Sequence, residues 1–492
     1  MPSSRRARIG LFVAGGVAAA TIPAFVISDD GRVRAQAVQS ISIADKKQGA
    51  EAHPQLLQEF GGAMTGSQAK YVESVGKTIA LQSGLSNARS DFTVTLLNSP
   101  VNNAFAIPGG YVYVTRQLAA LMNNEAELAG VLGHEVGHVA ARHAQKRQSA
   151  ATRNSILGAL GTIISGAVLG NGALGQVGQK IFSTGSQLLT LKYSRGQETE
   201  ADNLGIAYLQ RAGYDPRAMS SVLQSLARQN ALDAQIKGTT NQVPEWASTH
   251  PDPASRVRAA LTKAGSLTGK TNRDTFLAGV TGLTYGDDPA QGIVDGANFT
   301  HPSLKLAFQA PNGFYLVNGT RSVSISGQSG KGEFSSAAFN GNLQDYVKTV
   351  FAGLSSEQQV QPDSLQTTTV NGIPAVYGAA RVTSGGSPVD VVVFAYQWAP
   401  AQAFHFVTIS QSGQASQFDG MFRSIRRITS VEANAVKPRR LSLVTVKAAD
   451  TLQGLAARMA YTDNQLQRFL VLNGMTNDSK LVTGQKVKIV IY

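Results

Sequence analysis

His134-Glu135-Val136-Gly137-His138 sets two imidazoles four residues apart, so on an α-helix they share one face and can hold a single zinc ion. The run before it, Asn124-Glu125-Ala126-Glu127-Leu128-Ala129-Gly130-Val131-Leu132-Gly133, repeats apolar residues at three- and four-residue intervals and opens on acids. That pattern predicts a helix that continues through the motif. Glu135 then falls where it can serve as a general base beside a metal's open coordination position. Two histidines packed on a buried helix without metal would also account for the pentapeptide, so a third ligand has to be sought.

The nearest candidate, His143, follows His138 by five residues, which on an unbroken helix turns it about 140° away. Ala141 and Ala144 stand where an HExxHxxGxxH pattern needs Gly and His. His143 is therefore read as a surface or packing residue. Farther on, Tyr193-Ser194-Arg195-Gly196-Gln197-Glu198-Thr199-Glu200-Ala201-Asp202-Asn203-Leu204-Gly205 is again helix-like. Glu198 and Asp202 share a face there, an arrangement suited to one carboxylate ligand and a second carboxylate that orients a ligating imidazole through its free ring N–H. A charged, solvated helix is the ordinary reading of such a stretch; the HExxH motif tips the balance toward a metal site.

These motifs resemble the family of HtpX-like, CAAX-prenyl-protease-like and BepA-like zinc metallopeptidases, gluzincins that join HExxH to a downstream ExxxD helix. The resemblance covers about residues 40 to 260. It implies one zinc per chain held by His134, His138 and Glu198, Glu135 as general base, and Asp202 as the trailing aspartate. Asn103-Ala104-Phe105-Ala106-Ile107-Pro108-Gly109-Gly110, followed by alternating Tyr111-Val112-Tyr113-Val114, is similar to the family's strand segment ahead of the metal helix, which makes Asn103, Ala104 and Phe105 candidate substrate-strand residues. Ser248-Thr249-His250-Pro251, ending in Arg256, is similar to the segment behind it. In BepA-like members the histidine matching His250 can approach the zinc and gate access to it. Thr249-His250-Pro251-Asp252-Pro253 is also plain turn chemistry, so His250 and Arg256 are carried forward as metal-proximal gate or substrate-contact residues.

The expected reaction is peptide-bond hydrolysis without a covalent intermediate, on protein or peptide substrates. An extended substrate could pair along a sheet edge in the stretch from Ala106 to Val114, although an internal strand and turn would have the same sequence texture.

At the N-terminus, Arg5, Arg6 and Arg8 precede an uncharged stretch from Ile9 to Ser28, and Ala35-Gln36-Ala37 has the form of a cleavage site. Residues 1–37 read as an export signal; an uncleaved membrane anchor is the rival, because the apolar run approaches the length of a bilayer span. The chain has no cysteine, which excludes disulfides, thiolate chemistry and cysteine lipidation. Formal charge is +13, and removing residues 1–37 takes away five Arg and two Asp and leaves +10. Such a balance favours anionic surfaces, phospholipid headgroups and wall polymers among them; no basic-aromatic motif points to nucleic acid.

The predicted architecture is multidomain α+β. Residues 38–262 form a mostly helical zincin-type metalloprotease domain with a small sheet. Within it, the uncharged, glycine-rich stretch 154–179 is expected to be a helical hairpin or lid over the cleft. After a linker at 263–270, residues 271–430 show short alternating segments such as Leu304–Phe308, Ser322–Ser326 and Val389–Ala395, with helical patterns at Leu343–Leu354 and Gln417–Ile425. They predict an α+β accessory domain with an antiparallel sheet, in which His301 and His405 stand alone. After a second linker at 433–440, the segment 441–492 carries Asp450-Thr451-Leu452, the Leu472-Asn473-Gly474 turn and the Gly484-Gln485-Lys486-Val487-Lys488-Ile489 ending. It resembles the LysM module, whose βααβ fold binds N-acetylglucosamine-containing glycans; Ala449 replaces the usual glycine before the aspartate. Function is thus expected to be that of an exported zinc metalloendopeptidase in envelope protein quality control, in the periplasm or cell envelope of a bacterium. A non-catalytic chaperone or scaffold bound to peptidoglycan and a cell-wall peptide hydrolase are the alternatives.

Overall fold

The computed structural model describes residues 23–27, 33–37, 40–144, 193–237, 250, 253–354, 360–384 and 387–492. Most of the expected export signal, the stretch 154–179 and the flanks of His250 lie outside these residues. Ala35-Gln36-Ala37 belongs to a strand, Val33–Ala37, paired antiparallel with Pro23–Ile27. No helix among the described residues is long and apolar enough to cross a membrane.

The first body is a bundle of helices around a three-stranded sheet. We number the elements from the N-terminus, with the pair above as β1 and β2. Helices α1 (Ile43–Glu59) and α2 (Ser67–Ala80) precede strands β3 (Thr93–Leu97), β4 (Ala104–Ile107) and β5 (Tyr111–Thr115). The strand order is β3-β5-β4, with β3 parallel and β4 antiparallel to β5, so β4 is an edge. Helix α3 (Arg116–Leu121) leads directly into α4 (Glu125–Ala140), the predicted metal helix, and α5 (Arg195–Arg211), α6 (Ala218–Lys237), α7 (Pro253–Ala264) and α8 (Arg273–Val280) complete the body.

Both site-bearing helices begin where their sequences say they should. Asn124 caps α4 by accepting from Glu127 N at 2.9 Å. Ser194 and Gln197 form a capping box at the start of α5, which satisfies two of the backbone donors left open at a helix start. The first residue of α4 is also tied from three directions, because Glu125 accepts from Tyr71, Tyr214 and Asn272.

Residues 289–427 build the predicted α+β module. A seven-stranded antiparallel sheet contains long strands at Ile373–Ser384, Ser387–Ala399 and Gln402–Gln411. One face packs on the helix Leu343–Ala352 through Tyr346, Val347 and Phe351. The other packs an aromatic core of Phe308, Phe334, Phe394 and Phe406 against a four-stranded sheet and the short helix Asp419–Ser424. The stretch 273–283, read from its texture as part of this module, instead buries Phe276, Leu277, Val280 and Leu283 in the helical core.

The C-terminal segment has the predicted βααβ order: strand Arg440–Thr445, helices Leu452–Ala456 and Gln465–Leu472, and strand Lys486–Ile491 paired back on the first. It is not a separate bead. Leu441, Phe469, Val487 and Ile489 belong to the same continuous core as Leu118, Leu128 and Leu132 of the helical body.

Candidate metal centre

Helices α4 and α5 cross closely enough for a carboxylate on one to meet imidazoles on the other. Glycines make this approach: a Cβ at Gly205 would lie 3.1 Å from His134 N, and one at Gly137 would lie 3.2 Å from Ala201 O. The glycine inside the pentapeptide is therefore a packing requirement as well as a spacer.

His134, His138, Glu198 and His250 converge, each offering one donor atom within 4.8 Å of the others. The ring Nε2 atoms of His134 and His138 are 3.0 Å apart, and His138 Nε2 lies 3.4 Å from Glu198 Oε1. His250 turns Nδ1 toward the same point, 3.3 Å from His134 Nε2 and 3.2 Å from Glu198 Oε1, and Nε2 toward Glu135 Oε1 at 3.4 Å. All four, and Glu135, are almost fully buried. Mutual repulsion and desolvation make so dense a set of donors costly without a cation at its centre. Imidazole nitrogens with one carboxylate oxygen are the donor set of catalytic zinc sites, so the residues fit the ion.

The supporting shell is equally built. His134 Nδ1 lies 2.9 Å from Asp202 Oδ1, which fixes that ring with Nε2 toward the centre. Arg256 holds two of the three carboxylates of α5, donating to Asp202 at 2.6 and 2.7 Å and to Glu198 at 2.5 Å. Tyr193 stacks on His138 with ring centroids 3.8 Å apart. Burial works against ionising Glu198, yet the neighbouring His250 and His138 outweigh it and hold its carboxyl far below the usual range. For Asp202 the same contest, with Arg256 and His134 opposing burial, ends at about 2. Burial dominates at Glu135 and raises it. At His250 burial is overcome by the Glu198 and Glu135 carboxylates, and the imidazole is raised.

The structure thus brings together His134, Glu135, His138, Glu198, Asp202, His250 and Arg256. It separates the three strand candidates. Ala104 and Phe105 lie on the edge strand β4, but the Phe105 ring turns away from the centre into a small core under α1, stacked on Tyr113. Asn103 is fully buried, and neither polar atom of its amide has a hydrogen-bond partner among the described residues. Ala106, one strand position from Phe105, instead lines a cleft beside His138, with Ile41, Leu85, Val139 and Tyr193.

His143 lies outside the group of converging donors, as its spacing predicted, but it is not the surface residue that spacing also allowed. It is fully buried, with Nδ1 2.8 Å from His138 Nδ1 and Nε2 3.1 Å from Glu200 Oε2. The projection onto a continuous helix failed because α4 ends at Ala140 and Arg142 takes a left-handed conformation (φ 56°). The chain there turns back toward the site. Neither this turn nor the Tyr193 stack has a periodic signature, and the left-handed position holds Arg where Gly or Asn would have signalled it.

Comparison with protein families matches residues 66–264 to Peptidase family M48 and residues 444–490 to the LysM domain. Among curated relatives, a β-barrel assembly-enhancing protease of Yersinia pestis is 33% identical over 201 residues, covering 40% of this chain and 39% of the relative. The Escherichia coli (strain K12) protein of the same name is 31% identical with the same coverage. The mitochondrial metalloendopeptidase OMA1 of Schizosaccharomyces pombe is 31% identical over 217 residues, 44% of this chain and 59% of the relative. The matched stretch thus spans well under two thirds of each of these relatives. Residues 66–264 of this chain form a peptidase family M48 domain, and residues 444–490 a LysM domain.

Proposed function

We propose that this chain is an exported zinc metalloendopeptidase that hydrolyses peptide bonds in misfolded or misassembled proteins of the bacterial envelope. The observation that carries the reading is Glu135, buried beside the converging donors of His134, His138 and Glu198. A purely structural metal site has no use for a base at that place. Zinc bound there would supply a Lewis acid that polarises the scissile carbonyl and acidifies water. Glu135 takes the proton of the attacking water and returns it to the leaving amine. Asp202 and Arg256 keep His134 and Glu198 in position. An extended substrate runs along the open edge of β4, pairing through backbone groups and placing a side chain in the cleft at Ala106. The curated relatives' names, both peptidases, support the activity.

His250 is the proposed gate. It stands between Glu135 and the other donors, and in that place it competes with water for the coordination position. Zinc content and casein cleavage of wild type, Glu135→Gln and His250→Ala test both readings. Glu135→Gln should keep zinc and lose cleavage; His250→Ala should keep zinc and cleave faster. Zinc without cleavage in every variant would replace the enzyme with a non-catalytic scaffold.

The envelope setting rests on the basic, apolar N-terminus, the basic net charge and the LysM domain. The LysM domain is proposed to hold the chain on peptidoglycan glycan, and the basic surface to favour contact with anionic membrane. Sedimentation of the full chain with purified peptidoglycan, with and without replacement of the loop from Ala448 to Leu452, measures the first of these.

A further inference from the structure

The two histidines of the pentapeptide are held differently. His134 leans directly on a carboxylate, Asp202, whereas His138 meets a second histidine whose far nitrogen reaches a carboxylate, Glu200. We infer that His143 and Glu200 are positioning residues for His138, a two-step support that fixes the tautomer and ring plane of the second metal-ligand histidine. The inference rests on the zinc-site reading above.

The hydrogen-bond geometry assigns each proton. His138 directs Nε2 at the centre, so its Nδ1 carries the hydrogen. The only role left for His143 Nδ1, 2.8 Å away, is that of acceptor. His143 must then carry its own hydrogen on Nε2, which faces Glu200 Oε2 at 3.1 Å. Every donor in the chain meets an acceptor, and the negative end lies at Glu200, whose side chain is 24% exposed. The Tyr193 ring closes one face of His138, so a tilt of the imidazole is opposed by packing and by this chain together. Glu198, Glu200 and Asp202 divide the labour on α5: one faces the metal position directly, one supports His134, and one supports His138 through His143. The local backbone serves the same end, since the left-handed turn at Arg142 is what returns His143 to the helix it has just left.

The test separates hydrogen bonding from packing. His143→Leu keeps a side chain of similar bulk and removes both ring nitrogens; His143→Gln keeps one acceptor and one donor. The readouts are the zinc dissociation constant from competition with a chelator, the visible spectrum of the cobalt-substituted protein, and the thermal midpoint of each variant. His143→Leu should weaken zinc binding about 10- to 100-fold and change the cobalt spectrum. His143→Gln should restore affinity to within about threefold of wild type, and Glu200→Gln should show a smaller loss in the same direction, because its partner keeps one acceptor. Equal zinc affinity and unchanged cobalt spectra in His143→Leu and wild type would overturn the inference and leave the zinc-site reading intact. If His143→Leu does not fold, an unaltered affinity in Glu200→Ala, at a partly exposed position, overturns it in the same way. A wild-type chain that binds no zinc would overturn the site reading, and the support role with it.

Discussion

The ammonium of Lys488, in the last strand of the LysM domain, donates a 2.6 Å hydrogen bond to the carbonyl oxygen of Met122, the residue that ends α3. It also donates to Ala120 O at 2.8 Å and Leu121 O at 3.1 Å, and it is fully buried. Met122 lies two residues before the cap of the metal helix, and Glu127 in the first turn of that helix attracts the same ammonium. Burial lowers the Lys488 pKa, and three carbonyls at a helix end together with a nearby carboxylate are what allow a cation to sit there.

Lys488→Met should therefore destabilise the M48 domain although the residue lies in another module. Removing one partner of a buried charged network costs about 3–5 kcal/mol. Equilibrium denaturation should show a single transition for the helical body and the LysM domain, moved to lower denaturant in the variant. Two separate transitions, or an unmoved midpoint, would refute this coupling.

Arg256→Ala should leave Glu198 and Asp202 as facing buried carboxylates with no cation between them, a loss of about 3–5 kcal/mol in the metal-free protein. Arg256→Lys should recover little of it, since a single ammonium cannot reproduce the two-pronged contact with Asp202 and the third bond to Glu198. Saturating zinc should narrow the gap between variant and wild type by holding Glu198 itself. The check is the denaturation midpoint of each variant with and without zinc; full rescue by Lys would refute the geometric part of the claim.

Gly205→Ala tests the helix crossing. The added methyl would meet Met219 Cε at 2.7 Å, which can swing aside, and His134 N at 3.1 Å, which belongs to a helix backbone and cannot. Overpacking of this kind costs about 1–3 kcal/mol, and the helices should separate enough to weaken zinc binding as well. Titration of zinc into wild type and variant, beside their denaturation midpoints, measures both effects. An unchanged affinity would show that the crossing has slack.

What the sequence disclosed about this site follows helical periodicity. His134, His138, Glu198 and Asp202 each pair at four-residue spacing, and such spacing means a shared face wherever the helix continues. His143 was hidden because its position depends on the helix ending, and the residue that ends it, Arg142, carries no mark of a left-handed turn. His250 could be placed only by resemblance, since nothing in a Pro-bounded turn says what it faces. The βααβ order of residues 441–492 was legible from turn and core residues, whereas its docking was not: Lys488 looks like one more solvated lysine on an alternating strand until Met122 is seen beside it. The accessory sheet shows the same division, its strands readable and the partners of His405 unreadable.

His405 gives a pH-dependent prediction well away from the metal centre. Its ring is buried within the seven-stranded sheet, with Nδ1 2.8 Å from Tyr346 Oη and Nε2 3.2 Å from Ser335 Oγ, its cross-strand neighbour. Burial lowers its pKa from 6.5 to about 4. The sign follows from where protons bind. Below pH 6.5 the unfolded chain takes up a proton at this position while the folded chain stays neutral, so stability falls with falling pH until the folded imidazole itself is protonated near pH 4. A depression of this size corresponds to at most about 3 kcal/mol over that window. His405→Gln should remove this slope while costing some stability at pH 7, because the amide cannot match both hydrogen bonds of the ring. In a Trp246→Phe background the fluorescence of Trp398, which packs edge-on against Phe404 in the same module, reports unfolding there alone. The gap in urea midpoint between the His405 protein and the Gln variant, measured between pH 4 and 7, should close as pH falls, a comparison that cancels the opposing contribution of Glu333, whose carboxyl burial raises to about 7; a gap independent of pH would assign the acid sensitivity to other groups.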